Sequence, residues 1–309
     1  MRQSDRKFRC FGDIGERMGI HRYQGPRPKQ GSFWISLSVP QCPLLGGKEC
    51  VATIWKCLDR GSQEGGFMKP PEGEGTRKAY EEWYGEVVRL RDEELRASTW
   101  YGHVRAFLPA PRRGWTLEVA SGIAAYARER AVRERVVAVD FSLRALREAT
   151  RRASGRKRFY PVVADAQALP FRDGTFETLI SCETIEHLER PEVFLDELYR
   201  VGRCGGVLVL TFPSYLNLVG LYRLYLIMRG RPYASGVGYQ PRENFLVWPL
   251  VLVWLRRSGF RFRGFRGRVH LLPLPRRPML HVKFLDRIPL LRAAVQPLAL
   301  HVGFLASKK

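Results

Sequence analysis

Between Trp115 and Phe212 short apolar runs alternate with stretches in which apolar residues recur every three or four positions. The runs Trp115–Val119, Val136–Val139, Phe159–Val163, Thr178–Cys182 and Gly206–Phe212 predict strands, the last one buried on both faces. The spacing between them predicts helices over Ile123–Arg133, from an N-cap at Ser142 to Arg152, and over Pro191–Val201, where proline sits in the first turn. Strands alternating with helices imply a parallel sheet covered on both sides, which takes ligands at the carboxyl ends of its strands.

The flanks read differently. Thr76–Phe107 is helical in pattern, with Tyr80, Trp83, Tyr84, Val87 and Val88 at three- and four-residue spacing. After Phe212, "SYLNLVGLYRLYLIMRG" and "ENFLVWPLVLVWLRRSGF" predict two strongly apolar helices. Arg261–Leu271 and Leu298–Leu305 predict strands, with Leu298, Leu300, Val302 and Phe304 on one face of the second. Residues 1–67 are broken by Gly, Pro and Ser and show no periodic run. The expectation there is a poorly ordered extension, or translated upstream sequence with Met68 as the true start. The resulting division is 1–67, a helical segment 68–112, a core 113–213, and a basic, apolar region 214–309 that supplies a lid over the substrate and the final strands.

Charge sharpens that division. The formal net charge is +22, yet residues 214–309 alone carry 17 basic side chains against two acids, Glu243 and Asp286. Cys10, Cys42, Cys50 and Cys57 lack the Cys-x-x-Cys spacing of a zinc knuckle, so no metal site is expected, and free thiols suit a reducing cytoplasm. "MRQSDRKFRC" opens no sustained apolar segment of the kind a signal peptide needs.

"TLEVASGIAAYA", Thr116–Ala127, has the outline of a strand, a tight turn and a helix. A pyrophosphate-binding loop needs Gly-x-Gly-x-x-Gly, because phosphate must approach bare backbone at the helix N-terminus. Here Ala120 stands where the first glycine belongs, and Glu118 puts negative charge where phosphates would lie. S-adenosylmethionine, which has no phosphate, tolerates both. Glu118 suits its ammonium, Asp140 in "VVAVDFS" suits the ribose hydroxyls about twenty residues on, and Asp165 in "ADAQALPF" suits the adenine amino group. Each has a plainer reading: a strand-end charge, a residue preceding the Ser142 cap, and turn chemistry.

With "DGTFETLISCETIEHL" and "LDELYRVGRCGGVLVLTFPS", these stretches resemble the class I S-adenosylmethionine-dependent methyltransferases over about Thr116–Pro213. The resemblance implies an α/β fold: a doubly wound, Rossmann-like, mostly parallel seven-stranded sheet with an antiparallel C-terminal strand, here with an apolar helical insertion late in the chain. It implies that Glu118, Ala120, Ser121 and Gly122 line the methionine moiety and Asp140 holds the ribose. Phe141 would lie beside the adenine, Asp165 and Ala166 at its edge, and Cys182 under the sulfonium. Ala120 and Ala124 depart from the family's Gly-x-Gly-x-Gly.

Methyl transfer is an in-line displacement that needs alignment above all, and a base only where the acceptor must lose a proton. Glu183 and His187, just past the fourth strand, are the catalytic candidates, His187 because imidazole titrates near neutrality. The alternative is that Glu183 and Glu186 favour a helix start and His187 packs beneath it. "FLVWPLVLVWL" is too short to span a bilayer, which takes about 20 residues, but apolar helices edged with arginine suit a hydrophobic or lipid-linked small molecule at an anionic membrane surface. A buried lid with a solvated basic face is the plain alternative. The arginines and aromatics of "FRFRGFRG" raise RNA methylation as another reading, against which strand alternation sends much of that set to the core. A binding module with a degenerate cofactor loop is the non-enzymatic reading.

Overall fold

The computed structural model describes residues 79–80, 82, 84, 92–108, 110, 112–230, 242–273 and 280–309, and the backbone of two short strands, Ile20–His21 and Ser36–Leu37. The expectations for the rest of 1–67, including its four cysteines, lie outside the described residues.

Seven strands form one sheet: β1 (Trp115–Val119), β2 (Arg135–Asp140), β3 (Phe159–Val163), β4 (Phe176–Cys182), β5 (Gly202–Pro213), β6 (Arg261–Arg268) and β7 (His301–Ser307). Their order is β3-β2-β1-β4-β5-β7-β6, with β1 to β5 parallel and β7 antiparallel to both its neighbours. The expected mixed sheet with its antiparallel C-terminal strand is therefore present. The order reverses between β1 and β4, and such a switch point opens a crevice at the carboxyl ends of the strands.

The helices are α1 (Asp92–Arg96), α2 (Thr99–Phe107), α3 (Ala125–Arg130), α4 (Leu143–Arg152), α5 (Pro191–Val201), α6 (Leu218–Met228), α7 (Trp248–Arg257), α8 (Lys283–Arg287) and α9 (Pro289–Val295). Period-two burial divides the core between two layers. Leu179, Leu208 and Leu210 face Phe194, Leu195 and Leu198 of α5 and Val251 and Leu255 of α7. Ile180 and Val209 point the other way, onto Tyr101 and Val104 of α2 and Tyr126 of α3. Ser142 caps α4 as its residue type predicts, its hydroxyl accepting from the amide of Ala145 at 3.1 Å.

Three expectations need correction. The N-terminal helical stretch breaks at Ala97–Ser98, where Ser98 turns to extended backbone, ψ 149°, and starts α2 afresh. The last strand begins at His301 and not at Leu298, which sits exposed in a 3₁₀ turn; Pro297 cannot donate to a ladder, and the buried face is Val302, Phe304 and Ala306. The two apolar helices also differ in kind: α7 covers the sheet, whereas α6 leaves most of its apolar residues in solvent. No helix of the described residues is long and apolar enough to cross a membrane.

Candidate cofactor and transfer site

The loop from β1 to α3 keeps a glycine-type backbone with little glycine in it. Ala120, Gly122 and Ala124 all take left-handed φ, at 51°, 54° and 52°. The two alanines thus hold the conformation for which the family uses glycine, at a cost of roughly 1–2 kcal/mol each. At Gly122 a side chain would meet two costs together: the left-handed φ, and a Cβ 3.3 Å from the Tyr84 ring, close enough that the ring would have to shift.

Asp140, at the tip of β2, fixes that loop. Its Oδ2 accepts from the Gly122 amide at 2.8 Å and from the Tyr84 phenol at 3.3 Å, while Oδ1 accepts from the Ser142 amide at 2.9 Å. Phe141 follows, edge-on to Tyr80 with ring centroids 5.4 Å apart. Tyr80 and Tyr84 belong to the N-terminal helical segment, so that segment roofs the tip of β2. Nothing in the spacing of aromatic residues says which strand end they cover, so this contact is not legible along the chain.

Glu118 lies deeper than expected. One carboxylate oxygen accepts from the Ala127 amide at 2.7 Å and the other from the Tyr101 phenol at 3.0 Å. Its carboxyl is turned under the loop toward α3 and α2, and burial pushes its pKa up to about 7 despite both hydrogen bonds. Asp165 is exposed and accepts from the Gln167 amide at 2.8 Å, the turn chemistry of the plain reading, with buried Ala166 beside it. The hydroxyls of Ser121 and Ser181 are buried near these strand ends without a hydrogen-bond partner in the protein. Cys182 ends β4, and burial and the Glu118 carboxylate raise its thiol pKa well above the usual range.

Glu183 and His187 border the same crevice, but they do not pair with each other. Glu183 is a left-handed non-glycine residue, φ 50°, and such strain concentrates at functional sites. Its carboxylate accepts from the Thr211 hydroxyl at 3.2 Å and lies 3.3 Å from Nδ1 of His301. His301 enters because antiparallel β7 sets it beside Pro213 at the carboxyl end of β5. His187 Nδ1 donates to the Arg242 carbonyl at 2.6 Å, leaving Nε2 3.5 Å from Glu186. Burial lowers the His187 pKa and, with the nearby Glu183 charge, holds Glu186 well above the ordinary carboxylate range. One Glu186 oxygen is buried with no hydrogen-bond partner. Two carboxylate–histidine pairs therefore stand at the tips of β4 and β5, of which the sequence offered half of each. Chain distance hid His301, and no motif marks it.

Residues 242–244 join this site to α6. The Asn244 amide donates to the Glu186 carbonyl at 2.7 Å and its side chain to the Leu188 carbonyl at 2.8 Å. Glu243 takes the buried Arg223 of α6 at 3.2 Å and also the Tyr215 phenol. Arg223 lies over the Tyr215 ring at 4.3 Å. The aromatics of β6 are spent on packing: Phe262 and Phe265 meet Phe304 at 5.3 and 5.8 Å, and Phe265 meets Trp248 at 5.4 Å. They offer no open stack for bases.

The residues fit S-adenosylmethionine. The Asp140 carboxylate and the unsatisfied Ser121 hydroxyl stand at a loop whose left-handed turns let backbone approach a ligand closely, and the exposed Asp165 follows β3, the strand beside β2.

Residues 117–210 match the family model described as "Methyltransferase domain". The chain is 35% identical over 139 residues to the demethylmenaquinone methyltransferase of Clavibacter sepedonicus, covering 40% of this chain and 56% of that one. It is 37% identical over 137 residues to the enzyme of the same name from Thermus thermophilus, covering 41% and 60%. The chain thus spans little more than half the length of the curated relatives it matches. The structure is similar to a solved S-adenosylmethionine-dependent methyltransferase, a possible histamine N-methyltransferase, from Thermotoga maritima: TM-score 0.52, 18% identity, 76% of this chain and 100% of that one. The strand order and the match over residues 117–210 identify the core of this chain as a class I S-adenosylmethionine-dependent methyltransferase domain.

Proposed function

We propose that the protein transfers a methyl group from S-adenosylmethionine to a hydrophobic or lipid-linked small molecule, at the inner face of a membrane. When bound, the cofactor supplies an electrophilic methyl on a sulfonium. The protein's own groups do the rest. Asp140 accepts the ribose hydroxyls, Asp165 and Ala166 meet the adenine edge, and Ser121 and Gly122 present hydroxyl and backbone to the methionine moiety. Glu118, from beneath the loop, fixes α3 through the Ala127 amide.

The observation that carries the reading is the pair of carboxylate–histidine contacts at the tips of β4 and β5, tied to an apolar helix through Arg242–Asn244. His187, its Nδ1 hydrogen committed to the Arg242 carbonyl, keeps Nε2 ready to take a proton from an acceptor hydroxyl or acidic carbon. Glu183 places His301 as a second such group. The curated relatives named above act on demethylmenaquinone, by their names, and a lipophilic ring of that kind agrees with an acceptor site beside α6.

Two measurements test this. Isothermal titration with S-adenosylmethionine should show saturable binding, and silence at high micromolar cofactor would remove the enzyme reading. Mass spectrometry of lipid and metabolite extracts incubated with protein and cofactor should show a gain of about 14 dalton, one CH₂. A gain confined to RNA would replace the acceptor class.

A further inference from the structure

Large apolar side chains exposed among the described residues lie, with the exception of Val132, between Leu216 and Leu298. They gather on two elements. Along α6, Leu221, Leu224, Tyr225, Ile227 and Met228 face solvent, Leu221 at 65% and Met228 at 71% exposure. Beyond it, Phe284, Ile288 and Leu290 stand out from α8 and α9, Leu290 at 84%. The two elements are close. Helix α6 packs against the strand Leu271–Leu272, and that strand's antiparallel partner, Leu280–His281, leads directly into α8.

Within residues 214–309 the exposed charges beside these faces are of one sign. Arg229, Lys283 and Arg287 are exposed beside them. The only side-chain carboxylates of residues 214–309 are withdrawn: Glu243 into Arg223, and Asp286 between His270 at 3.3 Å and His281 at 3.1 Å. An apolar surface bordered by cations and emptied of anions is complementary to a bilayer bearing acidic headgroups. It is a poor match for a second copy of itself, since that contact would set like charges face to face. Nucleic acid would answer the charge and leave the leucines in water.

We infer that α6 and the turn from Leu280 to Leu298 form a monotopic docking surface for anionic lipid. Leu221, Met228, Phe284 and Leu290 enter the boundary between headgroups and acyl chains, and Arg229, Lys283 and Arg287 hold the headgroups. For its purpose the surface rests on the lipid-linked acceptor proposed above, but its test reads lipid binding and not methyl transfer.

The full chain is sedimented with vesicles of phosphatidylcholine alone and with vesicles containing phosphatidylglycerol, over a range of salt. Binding should favour the anionic vesicles and weaken as salt rises. The triple variants L221Q/M228Q/L290Q and R229S/K283S/R287S should each lower the partition coefficient by at least about tenfold. Hydrogen exchange on the unmodified chain gives a second readout that does not depend on variants folding: vesicles should slow exchange in residues 218–229 and 280–298. Equal binding to neutral and anionic vesicles, no binding at low salt, protection confined to other segments, or self-association in place of vesicle binding would each overturn the inference. Vesicle binding without any response to S-adenosylmethionine would leave the surface standing and remove the cofactor reading instead.

Discussion

The Tyr84 phenol donates to Oδ2 of Asp140 at 3.3 Å, sharing that oxygen with the Gly122 amide at 2.8 Å. A single carboxylate therefore ties the N-terminal segment, the β1–α3 loop and the tip of β2 together. In the proposed cofactor site, Asp140→Asn keeps one acceptor oxygen but removes the charge that would strengthen hydrogen bonds to a ribose diol. The expected loss is about 2 kcal/mol, roughly thirtyfold in cofactor Kd, by titration. Tyr84→Phe removes the 3.3 Å bond to Asp140 and should change Kd by less than about threefold.

Ala120 spends conformational energy that glycine would not. It is half-buried, and its left-handed backbone, φ 51°, burdens the folded state. Set against the entropy glycine adds to the unfolded chain, Ala120→Gly should stabilise by about 0.5–1 kcal/mol, seen as a higher midpoint in urea at unchanged m. Ala124→Gly should gain less, because its methyl is fully buried between α3 and the β2 layer.

Glu118 predicts a pH dependence of stability. Burial raises its pKa from 4.5 to about 7, so the native chain holds this proton more tightly than the unfolded one. The contribution is fully present below pH 4.5 and lost as pH rises through about 7, roughly 3 kcal/mol in all. Glu118→Gln keeps an acceptor for the Ala127 amide and should flatten this limb. Thermal melts between pH 5 and 8 check it, and a parallel fall in both proteins would refute the assignment.

His103 acts in the opposite sense. Burial, with His301 nearby, lowers its pKa from 6.5 to about 4 while Nε2 meets the His301 carbonyl at 3.2 Å. Its stabilisation is present above pH 6.5 and lost as pH falls through about 4. In His103→Gln the acid limb of the same melts should be shallower.

For an acceptor that must lose a proton, His187→Asn should lower the transfer rate by about a hundredfold or more with cofactor Kd within about twofold. His301→Asn should do the same only where the Glu183–His301 pair is the base. Single-turnover transfer with each variant separates the two pairs, and wild-type rates in both would leave alignment alone as the source of catalysis.

Most of the sheet was legible because its strands are continuous apolar runs, and the bounds of β1, β3 and α5 agree with the apolar pattern to the residue. Local patterning carries that information. It carries less where one proline decides, as at Pro297, and none where residues far apart in the chain meet. Tyr84 on Asp140, His301 on Glu183 and Arg242 on His187 are 56, 118 and 55 residues apart. Each pairing is fixed by topology, and a motif read along the chain cannot contain it. Asp140 and Gly122 were legible for the opposite reason: their chemistry depends on the end of a neighbouring strand.

Arg242, Glu243 and Asn244 are three consecutive residues with three separate duties: the first holds the imidazole of His187, the second the guanidinium of α6, the third the peptide of Glu186. Three adjoining peptides thus lash α6 to both His187 and Glu186, so a lesion at any one of them disturbs the greasy helix and the strand tips together.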